Sequence, residues 1–246
     1  IYVLDCYWSD HCRHTTFETV LDQVIINSDK FQVQMQEAFD YYVKIRDELG
    51  ITKPMTLMDM ASIMGKYHVR VLKDQAIEVS EEINACSFFV TVNNKGQEEE
   101  WLVQFKNETH NHPSEIEPFG GASTCIGGAI RDPLSGRSYV YQAMRVSGSG
   151  NILQKREETL EGKLPQVTIS TGTAHGNSSY GNQIGLATTF VRELYDDSYV
   201  AKHMEVGAVV GAVKVGNYQR QSLVPGDIVV MIGGRTGRDG IQGASG

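Results

Sequence analysis

Residues 106–132 carry the densest set of chemically active side chains in the chain. Their sequence is KNETHNHPSEIEPFGGASTCIGGAIRD, in which histidines, carboxylates, a lysine and an arginine accompany two pairs of adjacent glycines. A solvated surface would need the charges but not the glycines, and an ordinary core would need neither. We interpret the segment as a binding site for a highly charged ligand.

The secondary structure of the first part of this segment decides which side chains share a face. If the stretch WLVQFKNETH continues as a strand, alternate side chains point to the same face. That face would present Lys106, Glu108, His110 and His112, and the strand should end at Pro113, which has no N–H for a ladder. A merely solvated strand face remains the alternative for this pattern taken alone.

The second part of the segment, FGGASTCIGGAI, predicts a helix that opens on glycines. The free N–H groups and the dipole at such a helix start favour an anion. Asp132 joins Glu108 as a pair of oxygen ligands of the kind that Mg²⁺ uses together with substrate phosphates. The sequence has no GxxxxGK[ST] motif, which excludes a P-loop enzyme.

Cysteine and histidine also gather near the N-terminus, in YWSDHCRHTTF. The spacing of Cys6, His11, Cys12 and His14 does not match the common structural zinc sites. Two interpretations of His11 stay open: a packed structural histidine, or a catalytic or phosphate-contacting one. Cys125 has no assignable histidine partner, so we expect a small buried thiol there.

The elements that must position these residues follow from hydrophobic periodicity. Residues 31–49 have a helical period with Gly50 at the C-cap, and Thr56 with Asp59 predicts a capping box. The second helix would bury Leu57, Met60, Ala61 and Met64. From residue 85 the period becomes two, which predicts a hairpin around NNKGQ and further strands at 138–146, 165–171, 207–215 and 227–233. Strands interspersed with helices predict an α/β or α+β fold.

Composition limits the class of protein. The net charge of −8 argues against a nucleic-acid partner, and no apolar run reaches the roughly 20 residues of a membrane span. The N-terminus lacks the features of a secretory signal, and four scattered cysteines do not form a disulfide framework. We therefore expect a cytoplasmic protein. A start without Met and an end in a glycine-rich loop after DIVVMIGG predict a fragment of a longer chain.

Four stretches carry a family resemblance when they are taken in order. They are SDHCRH, KNETHNHPSEIEPFGGASTCIGGAIRD, SSYGNQIG and GGRTGRDGIQGASG. Together they resemble the motifs of the phosphoribosylformylglycinamidine synthases, ligases of purine biosynthesis. The resemblance implies a fold of the aminoimidazole-ribonucleotide-synthetase type. It also implies conversion of formylglycinamide ribonucleotide, ATP and ammonia into the amidine, ADP and phosphate.

The resemblance also implies roles for individual residues. His11 and His110 would be catalytic, with His110 as a proton acceptor, and Lys106 and His14 would bind ATP. Small forms of the family have Tyr where this chain has His14. Glu108 and Asp132 would bind Mg²⁺. The substrate would be bound by Thr109, Asn111, His112 and Arg131.

The family organisation predicts an N-terminal synthetase domain over residues 1–203 with a helical insertion at 31–66. Residues 204–246 would be the start of a second, truncated domain. Expected partners are the remainder of the synthetase, a glutaminase domain or subunit that supplies ammonia, and a second copy of the chain bound through strands of the first domain. Two alternatives stay open: a related thiamine-monophosphate or selenophosphate kinase, and a non-catalytic nucleotide-binding module.

Overall fold

The computed structural model describes residues 18–79 and 85–234. The chain divides into two compact units, Ile1–Glu81 and Glu82–Gly246. The first is helical, and the second contains a mixed sheet with helices, so the expected α/β (α+β) class is confirmed. Within the described ranges, no helix has both the length and the apolar character that crossing a bilayer requires.

The helical unit contains α1 (Gln32–Glu48) and α2 (Leu57–Tyr67), and a π-helical turn, His68–Leu72, follows α2. Both helices were predicted. Thr56 is the N-cap of α2 and accepts a hydrogen bond from the backbone N–H of Asp59 at 3.0 Å, as the capping pattern indicated. Gly50, just after α1, has φ +64°, a conformation that glycine adopts without strain.

The apolar side of α2 differs from the prediction. Ile63 is the buried residue of this helix, and it packs with Tyr42 and Ile45 of α1, with Met60 at the edge of the cluster. Leu57 and Met64 are instead 40% and 41% exposed. The choice of face was wrong because apolar residues lie almost all round α2, so spacing alone did not select the side that meets α1.

The second unit is built on a five-stranded sheet in the order β1-β2-β5-β3-β4. All neighbouring strands are antiparallel except β3 and β4, which are parallel. The turn between β1 and β2 is formed around Lys95 and Gly96, both with positive φ, so the predicted hairpin is confirmed. The strands are β1 (Cys86–Asn94), β2 (Gln97–Thr109), β3 (Tyr139–Ser149), β4 (Thr188–Tyr195) and β5 (Met204–Lys214).

Three helices accompany the sheet: α3 (Asn111–Ile116), α4 (Pro118–Ser135) and α5 (Gln166–Gln183). The glycine-opened helix expected from residue 120 is confirmed as part of α4. This helix packs on β2, β3 and β5, and α5 packs on α4. The core between them consists of buried side chains from both layers, namely Ile126, Ala129, Ile130, Val140, Ala143, Leu186 and Val209.

The strand predicted at 165–171 is wrong, because these residues form the first turns of α5. A short run with two apolar residues, Val167 and Ile169, fits either period. The helix that contains this run packs closely on α4 through glycines. A Cβ added at Gly176 would lie 2.0 Å from the backbone oxygen of Phe119, so only glycine lets α5 approach α4 this closely.

One further expectation about strands fails. Residues 227–233 form no described ladder, and Ile228 to Ile232 are 71–94% exposed. Residues 204–214, which we assigned to the start of a second domain, form β5, and β5 lies between β2 and β3 in the sheet. The division of the chain after residue 203 stays a prediction. Periodicity identifies a strand but does not reveal its neighbours, which tertiary packing decides.

Candidate active site

Lys106, Glu108 and Asp132 meet where β2 passes beneath α4. Alternation along β2 turns Lys106 and Glu108 to the side covered by α4. Asp132 comes from the last turns of α4, and its Oδ2 atom lies 2.8 Å from Nζ of Lys106. Both side chains are partly exposed, which leaves the group accessible to a ligand.

The Glu108 carboxylate rests directly on α4 at a glycine. A Cβ added at Gly128 would lie 2.3 Å from Oε2 of Glu108, so any other residue would displace the carboxylate. Burial raises the pKa of Glu108 above its ordinary value, and the charges of Lys106 and His110 offset this only in part. A cation near this carboxylate would relieve the cost of its desolvation.

The fit of this pair to Mg²⁺ can be judged from the residues themselves. Within the described ranges, no group of three or more His, Cys, Asp or Glu side chains could hold a metal by itself. Mg²⁺, however, commonly takes one or two protein carboxylates and completes its shell with water and substrate phosphates. Glu108 and Asp132 match that pattern. Lys106, already paired with Asp132, adds a positive charge suited to the same phosphates.

His110 lies at the end of β2, where the chain turns into α3. The strand ends at Thr109, so the prediction that it continues to Pro113 is wrong. Pro113 fits into α3 because the first turn of a helix needs no N–H from that residue. Nδ1 of His110 lies 2.8 Å from the carbonyl oxygen of Gly121. A carbonyl only accepts, so Nδ1 carries a proton, and in the neutral ring the lone pair is on Nε2.

The predicted substrate residues divide into buried and accessible ones. Asn111 is 7% exposed, and its Oδ1 accepts a hydrogen bond from the backbone N–H of Glu205 at 2.8 Å. Thr109 pairs with Val206 in the ladder and, by alternation, lies on the opposite face from Glu108. His112 is exposed on α3. The predicted strand face of Lys106, Glu108, His110 and His112 is therefore not formed over its whole length, because the strand ends at Thr109 and His112 lies on α3.

Arg131 is exposed on α4, one residue before Asp132. Its Nη1 donates to the hydroxyl of Tyr180 on α5 at 3.3 Å. Tyr180 belongs to the SSYGNQIG stretch, so this contact joins two stretches that are far apart in sequence. His11 and His14 lie outside the described residues, and their roles stay predictions.

Sequence reasoning missed a buried charged network beside the site. Arg145 donates to both carboxylate oxygens of Glu205, at 2.7 and 3.2 Å, and to Glu193 at 2.7 Å. His203 lies 2.9 Å from Glu205. The backbone of Glu205 in turn bonds His110 and Asn111. Charged residues inside apolar strands, as in YVYQAMRV, were the signal that could have revealed this network.

Cys125 is fully buried on α4, as expected of a packing thiol. Burial raises the pKa of this thiol well above its ordinary value. Its Sγ donates to the backbone oxygen of Glu108 at 3.3 Å, which helps to hold β2 against α4. A thiolate nucleophile at this position is disfavoured.

Several known proteins are similar to this chain in sequence. No family model matches the chain. The PurL subunit of phosphoribosylformylglycinamidine synthase from Thermoplasma acidophilum is 36% identical over 147 residues, which are 59% of this chain and 19% of that subunit. PurL of Salinibacter ruber is 29% identical over 215 residues, 84% of this chain and 27% of that subunit. The chain is therefore similar to a portion of PurL.

The similarity covers only part of each PurL subunit. The chain spans only about a fifth to a quarter of the length of these PurL subunits. Thermotoga maritima PurL complexed with ATP matches 72% of this chain and 27% of its own, with a TM-score of 0.42 and 23% identity. The structure named AaThiL complexed with AMPPCP and TMP matches 66% of this chain and 45% of its own, with a TM-score of 0.43 and 11% identity. At these TM-scores neither structural match decides the fold.

Proposed function

We propose that this chain supplies part of the synthetase site of an ATP-dependent carbon–nitrogen ligase. The reaction would convert formylglycinamide ribonucleotide to formylglycinamidine ribonucleotide in purine biosynthesis, with ammonia derived from glutamine. The observation that carries the proposal is the meeting of Lys106, Glu108, His110 and Asp132 where β2 ends beside α4. The similarity to PurL supports the choice of substrate.

The side chains at this site suit phosphoryl transfer, which depends on positioning and charge more than on covalent help. Lys106 would contact the phosphates of ATP, with His14 as a second nucleotide contact. Glu108 and Asp132 would hold Mg²⁺, which offsets phosphate charge when bound. The γ-phosphoryl group would pass to the amide oxygen of the substrate, so that this oxygen later leaves as phosphate.

His110 would act in the second half of the reaction. Ammonia forms the new carbon–nitrogen bond as the carbon–oxygen bond to phosphate breaks, and the attacking nitrogen must lose a proton. In its neutral form His110 is suited to accept that proton at Nε2, because Nδ1–H is committed to the carbonyl of Gly121. His11 is proposed as a second catalytic histidine. Thr109, Asn111, His112 and Arg131 would orient the substrate.

The proposal implies partners beyond this chain. Ammonia would come from a glutaminase domain or subunit, and the remainder of the synthetase would complete the pocket. A homodimer through strands of the sheet is also proposed. The support for this homodimer is the face of the sheet that carries Phe105, Val210 and Phe190. Neither α4 nor α5 packs on this face, although it is rich in apolar side chains. We place the reaction in the cytoplasm, where ATP-driven nucleotide synthesis takes place.

The metal assignment is tested by Glu108→Ala in the intact protein. Loss of the carboxylate should weaken MgATP binding at least about tenfold, since hydrogen bonds and contacts to charged groups contribute about 1.5–3 kcal/mol. Isothermal titration calorimetry with MgATP gives the affinity. Glu98→Ala is the matched control, because Glu98 is an exposed residue near the turn of the same hairpin. Equal MgATP affinity in parent and Glu108→Ala would remove Glu108 from the site.

A second assay separates the ligase from the kinase and from a non-catalytic module. The intact protein is incubated with MgATP, formylglycinamide ribonucleotide and ammonium chloride, and the products are analysed by mass spectrometry. The ligase should form amidine and phosphate in equal amounts. Transfer of phosphate to thiamine monophosphate would favour the kinase, and bound ATP without turnover would favour the module.

A further inference from the structure

Glu205 connects the buried charged network to the segment that carries His110. The residue is 0% exposed and lies at the start of β5. Its carbonyl oxygen accepts from the backbone N–H of His110 at 2.9 Å, and its own N–H donates to Oδ1 of Asn111 at 2.8 Å. A single residue of β5 therefore holds both residues at which β2 turns into α3.

The side chain of Glu205 is itself fixed by directional hydrogen bonds. Nε and Nη2 of Arg145 donate to its two carboxylate oxygens, which makes a two-point contact between planar groups. Nε2 of His203 lies 2.9 Å from Oε2 of the same carboxylate. Arg145 is fixed in turn, because it donates to Thr173 on α5 at 2.9 Å and to Glu193 on β4 at 2.7 Å. The network thus connects the start of β5 to β3, β4 and α5.

A second contact joins the same part of the chain to α3. The backbone N–H of His203 donates to Oε2 of Glu115, a residue of α3 that is 5% exposed. The ring of His203 also lies in the network, with Nδ1 3.2 Å from Oγ of Ser149 on β3. Residues 203 and 205 therefore both place their side chains in the network and both bind α3 through their backbone.

A buried ion pair such as Arg145 with Glu205 is a weak source of stability, because the lost hydration of two charges offsets much of their attraction. Hydrogen bonds, however, specify both distance and angle, whereas apolar side chains of the same volume pack less uniquely. The arrangement is better suited to fixing the position of the backbone than to stabilising the fold.

We propose that Arg145 and Glu205 are positioning residues that fix His110 by holding the strand backbone to which His110 is bonded. The ring of His110 is held at Nδ1 by the carbonyl of Gly121, and its backbone is held by Glu205. A shift of the start of β5 would displace the backbone from which this ring extends. The catalytic consequence rests on the function proposed above, whereas the structural consequence does not.

Amide hydrogen exchange in the intact protein, followed by NMR, tests the structural consequence. The double variant Arg145→Met with Glu205→Leu leaves neither member of the pair unmatched, and Glu193 is 30% exposed and stays hydrated, so the fold should survive. Exchange of the His110 amide should nevertheless accelerate at least about tenfold, because local opening costs less. The amide of Gln104, further along the same ladder, should exchange as in the parent. Parent-like protection of His110 overturns the proposal.

A second variant and a matched control make this test specific. Glu205→Gln keeps the shape of the side chain but places an amide donor against the N–H groups that bond the carboxylate, so exchange at His110 should again accelerate. Lys214→Met is the control, because Lys214 pairs with Glu99 at 2.9 Å at the far end of the β2–β5 ladder. The same acceleration in Lys214→Met, or loss of the fold in both network variants, would reduce the pair to a stabilising contact and overturn its positioning role.

A double-mutant cycle tests the catalytic consequence. With ammonia as the nitrogen donor, Glu205→Gln should lower kcat about 10- to 100-fold, since a misplacement of about 1 Å costs up to about 100-fold, while MgATP affinity stays within a few fold. In a His110→Ala background the same change should lower kcat no further, because residues that act as a unit are not additive. A full additional loss in that background overturns the catalytic role of the pair. A parent-like kcat in His110→Ala alone would instead contradict the proposed function, and the exchange result would still decide the structural role.

Discussion

His110 is placed to act as a base because one of its ring nitrogens is already committed. The carbonyl of Gly121 accepts from Nδ1–H, which fixes the tautomer and directs the lone pair of Nε2 away from α4. The backbone N–H of His110 donates to the carbonyl of Glu205 at 2.9 Å. The ring and the backbone are therefore held from two sides by groups that do not themselves need to move.

This placement predicts the effect of His110→Ala in the intact protein. With ammonia as the nitrogen donor, kcat should fall about 10²- to 10⁴-fold, the usual cost of losing a general base. MgATP affinity should stay within a few fold, because Lys106, Glu108 and Asp132 remain. Steady-state kinetics and calorimetry measure the two quantities. A parent-like kcat would make His110 a structural residue, and thermal denaturation of the variant checks that the fold is intact.

At the residue scale, sequence identified the charged group correctly but not its geometry. Lys106, Glu108, His110 and Asp132 do meet, and the motif indicated this. It gave no hint that Asn111 would be buried against β5 or that Lys202 would meet His112. These contacts join residues about 90 positions apart, and local pattern contains no information on such pairs.

At the scale of elements, α4 determines the position of Glu108. Gly128 lets the carboxylate rest on the helix, and a side chain there would occupy the same space. Alanine also favours helix over glycine by about 0.5–1 kcal/mol, so the fold itself should tolerate the change. Displacement of the Glu108 carboxylate should change ligand binding, whereas the better helix propensity of alanine should change only the stability of α4. The two effects can therefore be measured separately.

We therefore predict that Gly128→Ala weakens MgATP binding about tenfold or more while the melting temperature stays close to that of the parent. Calorimetry and thermal denaturation monitored by circular dichroism measure the two effects. Gly65→Ala in α2 is the control, because a Cβ there meets nothing within 4 Å. Full MgATP affinity in Gly128→Ala would show that the carboxylate does not need its place on the helix.

The elements that sequence predicted correctly have clear periodicity, capping or turn signals: α1, α2, the β1–β2 hairpin, α4, β3 and β5. Besides α3, where the strand was predicted to continue, it missed α5 and β4 for physical reasons. α5 is held by small residues such as Gly176, which produce no apolar stripe. β4 is an edge strand whose Phe190 and Val191 are 51% and 54% exposed, with charged residues after them. Edge strands lack a clear alternation when neither face is fully buried.

At the scale of the whole molecule, the sheet has two different faces. One is covered by α4, and the other carries apolar side chains from several strands. Val210 of β5 is central to this second face, opposite Phe105 of β2 and Gln142 of β3. A symmetric pair of such faces would bury them against each other, in the manner of stacked or closed sheets.

Val210→Lys should therefore convert a dimer of the intact protein into a monomer, because a lysine in the centre of an apolar interface is costly to desolvate. Sedimentation velocity measures the change in mass. Val167→Lys is the control, since Val167 is 46% exposed on α5, away from this face. A monomeric parent protein, or an unaffected dimer in Val210→Lys, would contradict the proposed interface.

The position of β5 has a consequence for how the protein emerges from the ribosome. Among the described residues, β5 is the last strand in sequence, yet it lies between β2 and β3. Until residues 204–214 have left the exit tunnel, the nascent chain holds a hairpin and a separate β3–β4 pair, each with an unpaired edge. Such edges readily pair with other chains, so we expect chaperones to protect the nascent polypeptide in the interval before β5 emerges.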